Sequence, residues 1–466
     1  MTREVLEREL SEHVASMRRR PLPPATVEAV RRCVLDTAGV MLAGSSGAGI
    51  STLVTQLRPG SPGREATAAV FGSTHDVLDA VWLNGAMARA WEFDDSHDPS
   101  GDHSSVPVLA SALGAAELAA QDGQRVDGAT FLAAFVAGVD VSTRLRLGTT
   151  ALLHETGFAT NTYAPFAAAA TAAVILGLDA EQTYDALGWA YAQCAGSVQA
   201  QQGGGSTLHV HHGLAASTGV QAALLARAGL PGTPSFLTGK FGFFHNYCRG
   251  GLDESRALDG LGERFEIERV SPKLYPSGRV THGAIDAALE LYHEDGVRAA
   301  DIERVVVYYS RLGYTMTCQP EDERRFPSQP HHATFSLYYS VASALAHGTV
   351  DLDSFTATAI ADESTARVNE RIEVHVDESV STLLPIRIQV ELADGRVVER
   401  RVDALKGTPE RPVDLKAYIE KFHHCADHAA IKIPLEQRDH IIGSIRGLAE
   451  LEDIPTDLVA ALKVKP

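Results

Sequence analysis

The middle of the chain is a succession of alanine-rich segments with helical spacing, and this feature limits the possible folds most strongly. Apolar residues cover nearly every side of these segments, and bulky side chains are scarce in them. Helices of that kind bury most of their surface, so several of them are expected to pack together in a bundle. We therefore predict a mainly α-helical body, with helices near residues 106–120, 129–147, 163–176 and 180–196.

The pattern changes after about residue 265, where β-branched and aromatic residues become frequent. A chain of 466 residues is long for one core, so a second domain is expected. A hairpin turn is predicted at Asp394–Gly395. We predict a smaller inserted α+β lid domain at 269–408, and a large helical domain formed by residues 1–268 and 409–466. The predicted strands are 302–309, 372–376, 386–392 and 396–402.

Charge and cysteine content exclude several functional classes. Lys and Arg number 41 against 59 Asp and Glu, which gives a net charge of −18 and disfavours nucleic acids or anionic membranes as partners. A small anionic substrate would therefore need a local basic pocket. The five cysteines form no CxxC pair, which favours reduced thiols in the cytoplasm. No apolar run reaches the roughly 20 residues that span a bilayer.

Acidic groups and histidines crowd into one stretch, where a predicted helix ends in a polar loop between Asn84 and Leu109. Carboxyl groups that are buried without partners change their pKa, so this density favours proton transfer or a metal site. An equally weighted alternative is structural, with Asp side chains capping backbone N–H groups and a plain turn at 98–101. The crowded residues are Glu92, Asp94, Asp95, Ser96, His97, Asp98, Asp102 and His103.

A second group of reactive side chains lies near the predicted domain boundary, between Lys273 and His282. Arg279 offers a planar fork that fits a carboxylate, Lys273 a point charge, and His282 an acid or base near neutral pH. Boundaries between domains often hold ligand sites. The alternative is a basic linker, which Pro276 and Gly278 make less attractive because they fix an unusual backbone.

Two histidine groups are weaker candidates for metal binding. His209, His211 and His212 follow a glycine run within 199–213, but no fixed acidic ligand is near them in the sequence. The residues His424, Cys425 and His428 have helical spacing, which a polar helix face explains more simply. We therefore predict no metal, with the acidic loop as the best metal alternative.

The two main stretches together resemble the MmgE/PrpD family over nearly the whole chain. Asn84-Gly85-Ala86, Glu92-Phe93-Asp94-Asp95-Ser96 and His103-Ser104-Ser105 are similar to its Asn-Gly, aspartate-rich and His-Pro-Ser segments. Residues Lys273 to His282 are similar to its Lys-x-Tyr-Pro-x-x-Arg-x-x-His signature. The resemblance implies a helical domain built from both chain ends, an inserted α+β lid, a homodimer, and catalysis without metal or organic cofactor.

Three departures from the family pattern concern the substrate. Glu92 stands where relatives commonly have Asp, Ser104 replaces a proline, and Leu208 stands where relatives often place a lysine. The longer Glu92 side chain changes the expected pocket, and the missing lysine argues against the family's tricarboxylates. The same missing lysine is the best argument for a catalytically silent binding protein.

The resemblance and the residues together predict a cofactor-independent lyase, a dehydratase or decarboxylase, that removes a proton next to a carboxylate of a small di- or tricarboxylate. His103 and His282 are expected to be the acid/base pair, and Lys273 with Arg279 the carboxylate clamp. The alternatives are an epimerase using the same carbanion and a metal-dependent hydrolase. The remaining predicted site residues are Glu92 and Asp94 in catalysis, and Ser96, Tyr275, His211 and Tyr163 in substrate binding.

Overall fold

The chain forms two compact units in a computed structural model that describes residues 4–151, 153–200, 206–380 and 383–464. The larger unit comprises Met1–Ala90, Asp94–Pro272 and Asp414–Pro466, and the smaller comprises Trp91–Phe93 and Lys273–Val413. The fold is mainly α-helical with small sheets, which confirms the predicted fold class.

The helical unit is a bundle with buried, alanine-rich helices at its centre. Every residue of the helix Ala164–Leu176 is buried, as an apolar segment without a polar face requires. All four helices predicted in this region are present, although the last ends at Tyr191 rather than at 196. The described helices of the unit include Val5–Met17, Pro24–Gly44, Ile50–Gln56, Val77–Arg89, Ser105–Gln121, Gly128–Leu147, Leu153–Thr156, Ala164–Leu176, Ala180–Tyr191, Thr207–Arg227, Phe243–Cys248, Glu254–Leu258, Leu415–Asp427, Leu435–Arg446 and Ala460–Leu462.

Small residues allow the helices Val77–Arg89 and Thr207–Arg227 to approach closely. A Cβ atom added to Gly85 would lie 2.8 Å from the Cα of Gly213, too close for any side chain larger than hydrogen. The indole of Trp82 donates a hydrogen bond to the Val210 carbonyl at 3.1 Å. This packing fixes the helix that carries His211 and His212 against the helix that leads into the acidic loop.

The chain ends meet inside the helical unit. The helix Leu415–Asp427 packs on Pro24–Gly44, where Gly39 leaves room for Phe422. Lys421 and Asp36 form a buried ion pair with 2.7 Å between Nζ and Oδ1.

The helix Gly128–Leu147 is long and apolar enough to cross a membrane, yet 94% of its apolar window is buried inside the protein, as in a core helix.

Four short strands, which the sequence patterns did not predict, form two small ladders in the helical unit. Strand β1 (Glu65–Thr67) pairs with β2 (Thr74–Asp76), and β3 (Ser96–His97) pairs with β4 (Val270–Ser271), both antiparallel. In the second ladder Ser96 lies opposite Ser271. The acidic loop is thereby attached to the segment just before Lys273.

The lid unit contains a four-stranded sheet in the order β6–β5–β7–β8. The strands β5 (Ile302–Tyr309), β6 (Ile372–Val376), β7 (Ile386–Leu392) and β8 (Val397–Val402) lie within one residue of the predicted positions. Strand β5 pairs in parallel with β6 and antiparallel with β7. The described helices of the unit include His282–His293, Arg311–Thr317, Glu321–Arg325, Pro330–Thr334, Leu337–His347, Ala357–Ile360 and Glu363–Asn369.

The lid unit begins at Lys273 because residues 270–271 pair with β3 and remain in the helical unit. It extends to Val413, beyond the predicted boundary at 408, and it includes Trp91–Phe93, which the sequence placed in the helical domain. Its core includes Ile285 and Leu291 from the helix His282–His293 together with apolar residues of the sheet. The first turn of that helix contains the end of the basic motif.

Candidate functional site

The acidic loop of the helical unit holds His103 by two oxygen atoms. The Nδ1 atom of His103 lies 3.1 Å from Oδ2 of Asp94 and donates to the main-chain carbonyl of Asp95 at 2.8 Å. The helix Val77–Arg89 ends immediately before the loop, and Arg89 at its last turn donates to Oδ1 of Asp94 at 2.7 Å. The arrangement Arg89–Asp94–His103 can orient an imidazole for proton transfer.

The Asp94 and Arg89 side chains are both removed from solvent. Asp94 is fully buried, Arg89 is 5% exposed, and the His103 side chain keeps 14% of its surface. A buried carboxylate needs such a cation, because leaving it without one would cost several kcal/mol. Arg89 was missed by the sequence patterns, although an arginine at the end of an apolar helix, five positions before an aspartate, was the available signal.

Other residues of the acidic loop have structural roles. His97 contacts Glu266 at 3.2 Å and Ser100 at 2.7 Å, and Ser142 donates to Asp102 at 2.5 Å. Burial alone would raise the pKa of Glu266, but hydrogen bonds from His97 and Arg264 and the charge of Arg144 lower it to about 2. The proton-transfer and structural interpretations of the loop therefore apply to different residues.

Asp95 has its carboxyl group in the core of the helical unit and is 2% exposed. Burial, followed by the nearby negative charge of Asp36, raises the pKa of this carboxyl well above its usual range. Its main-chain carbonyl, by contrast, accepts the hydrogen bond from His103. Asp95 thus contributes its backbone to the His103 arrangement, and its buried carboxyl lies in the core with a raised pKa.

Lys273 and Glu92 form a buried ion pair in the lid unit. Nζ of Lys273 lies 2.7 Å from Oε1 of Glu92 and also donates to the Glu92 carbonyl at 3.2 Å. Lys273 is fully buried and Glu92 is 7% exposed. Glu92 has a φ of 52°, a left-handed conformation that is uncommon for residues other than glycine. The structure thus brings two predicted site residues into direct contact across a long stretch of sequence.

Arg279, His282 and Tyr275 form a second cluster of the lid unit. Nη1 of Arg279 lies 3.2 Å from Nδ1 of His282, and the rings of Tyr275 and His282 meet edge to face at 5.1 Å. The Tyr275 hydroxyl donates to Asp286 at 2.6 Å, and Lys406 lies 3.4 Å from the same carboxylate. Burial and the charge of Asp286 raise the pKa of Tyr275 well above its usual value. Asp286, which the sequence patterns missed, fixes the hydroxyl of Tyr275 by accepting its hydrogen bond.

The other predicted binding residues lie in the helical unit. Tyr163 is fully buried, its hydroxyl is 2.7 Å from Thr149 Oγ1, and burial raises its pKa. Ser96 is buried in the strand β3. His211 contacts the amide of Asn161, and partial burial lowers its pKa. These contacts account for Tyr163 as a core residue, while its role in substrate binding stays a prediction.

His212, which the sequence offered only as a weak candidate for metal binding, is a further buried histidine. Burial, together with the charge of Arg89, lowers its pKa to about 3, and its Nδ1 donates to the Leu208 carbonyl at 3.0 Å. The half-buried Leu208 lies in the first turn of the same helix. Residues 201–205, which contain the glycine run preceding these histidines, lie outside the described residues.

The carboxyl groups of the acidic loop that could bind a metal face other protein groups in the part of the chain that the structure describes. No group of three or more His, Cys, Asp or Glu side chains is placed there to hold a metal ion. In the acidic loop, Asp94 faces Arg89 and His103, and the carboxyl of Asp95 lies in the core near Asp36. The absence of a metal from the acidic loop stays a prediction.

Comparison with known proteins places this arrangement in a family. The MmgE/PrpD N-terminal domain matches residues 8–255, and the MmgE/PrpD C-terminal domain matches residues 275–442. The chain belongs to the MmgE/PrpD family. This confirms the resemblance carried by the acidic loop and by the segment from Lys273 to His282.

Family members with similar sequences are lyases. The cis-aconitate decarboxylase-like protein oryM of Aspergillus oryzae is 25% identical over 96% of this chain and 95% of its own length. Human cis-aconitate decarboxylase is 27% identical over 80% of this chain and 77% of its own. The 2-methylcitrate dehydratase of Cupriavidus necator is 24% identical over 92% of this chain and 91% of its own length. These relatives support the prediction that the protein is an enzyme of the lyase class.

Proposed function

We propose that this MmgE/PrpD protein is a cofactor-independent lyase, a dehydratase or decarboxylase, whose substrate is a small di- or tricarboxylic acid. The reaction passes through a carbanion next to a carboxylate. The observation that carries the proposal is the buried Arg89–Asp94–His103 arrangement in a chain of this family. The named activities of the relatives, cis-aconitate decarboxylase and 2-methylcitrate dehydratase, support the substrate class.

In this proposal His103 transfers the proton at the reacting carbon, and Asp94 stabilises the imidazolium that forms. Lys273 and Arg279 offset the negative charge of the carboxylates. Lys273 lies against Glu92 in the lid unit, so Glu92 sets the charge and position of the lysine. We assign Ser96 to the substrate hydroxyl and the Tyr275 ring to the pocket edge, with Tyr163 and His211 as weaker candidates for substrate binding.

An epimerase that uses the same carbanion is the second candidate. It is favoured by Leu208, whose apolar side chain stands in the first helical turn of Thr207–Arg227 where relatives often have lysine. A site without that cation fits a substrate that lacks one charged arm. A dicarboxylate epimerase would return the proton to the carbon and release no water or carbon dioxide.

The experiment is a proton NMR screen of di- and tricarboxylates, including cis-aconitate and 2-methylcitrate, in deuterated water. We expect one acid to be transformed with a C–H bond next to a carboxylate broken or formed, and with deuterium entering at that carbon. The His103→Gln variant serves as the matched control and should lose most of the exchange. A transformation that leaves every such C–H bond intact would contradict the carbanion mechanism.

We also propose that the enzyme is a cytoplasmic homodimer without nucleic-acid or membrane partners. The net charge of −18 and the buried position of the helix Gly128–Leu147 support the absence of a membrane partner. The family resemblance supports the dimer.

A further inference from the structure

We propose that Lys421 is a positioning residue for His103, whose ring it orients through Asp95. This inference rests on the proposed function, because it concerns the histidine that is assigned to proton transfer. All three residues belong to the helical unit, where Lys421 is contributed by the C-terminal segment of the chain. The helix Leu415–Asp427 thereby takes part in the reaction without contributing a group to the acidic loop itself.

The first link is the hydrogen bond between His103 and the main chain of Asp95. Nδ1 of His103 donates to the Asp95 carbonyl oxygen at 2.8 Å, and Oδ2 of Asp94 lies 3.1 Å from the same nitrogen. The carbonyl belongs to the peptide unit that joins Asp95 to Ser96. Rotation of this unit would turn the oxygen away from the ring, and a hydrogen bond weakens steeply once its angle falls below about 120°. The orientation of His103 therefore depends on how the Asp95 backbone is held.

Two different contacts hold the two sides of this peptide unit. On one side Ser96 lies in β3 and pairs with Ser271 of β4. On the other side the Asp95 side chain lies in the core, and both of its carboxyl oxygens are buried. The environment of that carboxyl therefore fixes the side of the peptide unit that the ladder does not hold.

Lys421 supplies positive charge to this environment. Its Nζ lies 2.7 Å from Oδ1 of Asp36, and both residues are buried. Burial and the negative charge of Asp36 raise the pKa of the Asp95 carboxyl, and the positive charge of Lys421 acts in the opposite direction. Charges inside a protein act over longer distances than charges in water, because little solvent screens them. One lysine thus offsets charge at two buried carboxyl groups.

Loss of the lysine charge should disturb Asp95. Lys421→Met removes one positive charge from this group, whatever further partners Asp36 has. A buried ion pair that loses one member is strongly unfavourable. The carboxyl groups of Asp36 and Asp95 should then move apart or admit water, and either change displaces the Asp95 backbone that holds His103.

The first test follows the His103 ring and needs no substrate. The full chain is labelled with ¹⁵N-histidine, and the Nδ1–H signal of His103 is assigned by its loss in His103→Gln. In Lys421→Met this signal should shift or disappear, because Nδ1 loses a fixed acceptor. Lys416→Met is the matched control, since Lys416 lies on the same helix with 79% of its side chain exposed, and its His103 signal should match the parent. An unchanged signal in folded Lys421→Met overturns the inference.

The second test separates kcat from KM on the carboxylate that the parent transforms. Lys421→Met should lower kcat roughly 100-fold, the loss expected when a reacting group is misplaced by about 1 Å. Its KM should stay near the parental value, because the residues proposed to clamp the carboxylates are unchanged. Lys416→Met should keep both parental values. Parental kcat in Lys421→Met, or a change in KM alone, would contradict a positioning role.

The double variant Asp36→Asn/Lys421→Met separates the effect of charge from a general loss of packing. It removes both members of the ion pair, so Asp95 no longer faces the Asp36 charge without the lysine. We expect kcat and the His103 signal to return most of the way to the parent, even where the melting temperature stays low. A double variant as impaired as Lys421→Met would refute orientation through charge.

Circular dichroism and melting curves show which variants are folded. Lys421→Gln, whose amide can still donate to Asp36, replaces Lys421→Met in both tests if the methionine variant does not fold. Failure of the proposed function has a separate signature, in which the parent transforms no carboxylate. The ¹⁵N spectra then still decide whether Lys421 orients His103.

Discussion

Replacing Asp95 with asparagine should stabilise the protein, and the gain should grow with pH. Burial and the charge of Asp36 raise the pKa of Asp95 in the native state well above its usual range. In the unfolded chain the same carboxyl has an unperturbed pKa of about 3.9. Above that pH, the carboxyl is ionised to a greater extent in the unfolded chain than in the native protein, so the parent protein loses stability as the pH rises.

The size of the effect follows from proton linkage. While native Asp95 stays protonated, each pH unit above the unfolded pKa lowers the free energy of unfolding of the parent by about 1.4 kcal/mol. Asparagine does not titrate and removes this slope. The stability difference between Asp95→Asn and the parent should therefore grow as the pH rises above the unfolded pKa, by at most about 1.4 kcal/mol for each pH unit.

Urea unfolding followed by far-UV circular dichroism at pH 5 and pH 6 measures this difference, with protein concentration held constant because a dimer is expected. Weaker hydrogen bonds of the asparagine amide would lower the stability of the variant by the same amount at every pH. The test therefore depends on how the stability difference changes with pH. Since the main-chain carbonyl of Asp95 is unchanged, the contact with His103 remains. A stability difference that stays flat or shrinks from pH 5 to pH 6 would refute the reasoning.

Glu266→Gln is the matched control, because its effect on the free energy of unfolding should have the opposite sign to that of Asp95→Asn. The native pKa of Glu266 is lowered to about 2, below its unfolded value, so its charge stabilises the native state. That contribution is complete above the unfolded pKa of about 4.3 and is lost as the pH falls towards 2. Glu266→Gln should therefore be less stable than the parent at pH 6, and the deficit should shrink in acid.

Activity should survive exhaustive dialysis against EDTA, because the Asp94 carboxylate is engaged by Arg89 and His103; loss that one added divalent ion reverses would support a hydrolase instead. Arg279→Lys should weaken substrate binding or lower kcat, since lysine keeps the charge but loses the two-pronged geometry, and steady-state kinetics equal to the parent would remove Arg279 from the clamp. Leu208→Lys should admit tricarboxylates, which a substrate screen checks against the parent. Light scattering at micromolar concentration should give twice the chain mass; a single-chain mass would contradict the dimer.

Local patterns in the sequence predict most of the fold, because buried residues recur at different spacings in helices and in strands. The alanine-rich helices and the strands β5 to β8 are found near their predicted positions, since burial imposes a period of 3.6 on helices and of two on a half-buried sheet. The ladder of β3 with β4 has only two residues in each strand, too few to show a period. Trp91–Phe93 belongs to the lid unit, where Glu92 forms an ion pair with Lys273, and a local pattern carries no signal of a contact so distant in the sequence.

The sequence predicted which residues belong to the candidate site, but it did not predict which of them contact each other. The density of acidic residues around Asp94 and His103, and the segment containing Arg279 and His282, identified the two groups. Periodicity could not identify Arg89, because its role depends on a contact made after the helix ends. Likewise, the hydrogen bond from Tyr275 to Asp286 joins a loop to a helix, and neither residue type alone specifies the pairing.

The packing of the helix Leu415–Asp427 on Pro24–Gly44 has a consequence for synthesis on the ribosome. Asp36 emerges early, but Lys421 is made about 400 residues later, roughly 20 to 80 seconds at ordinary elongation rates. Throughout that interval the surface around Gly39, which Phe422 covers in the finished protein, lacks its cover. Nascent chains of this protein should therefore depend on chaperones until their last helices leave the exit tunnel, and truncation before residue 415 should yield aggregating protein.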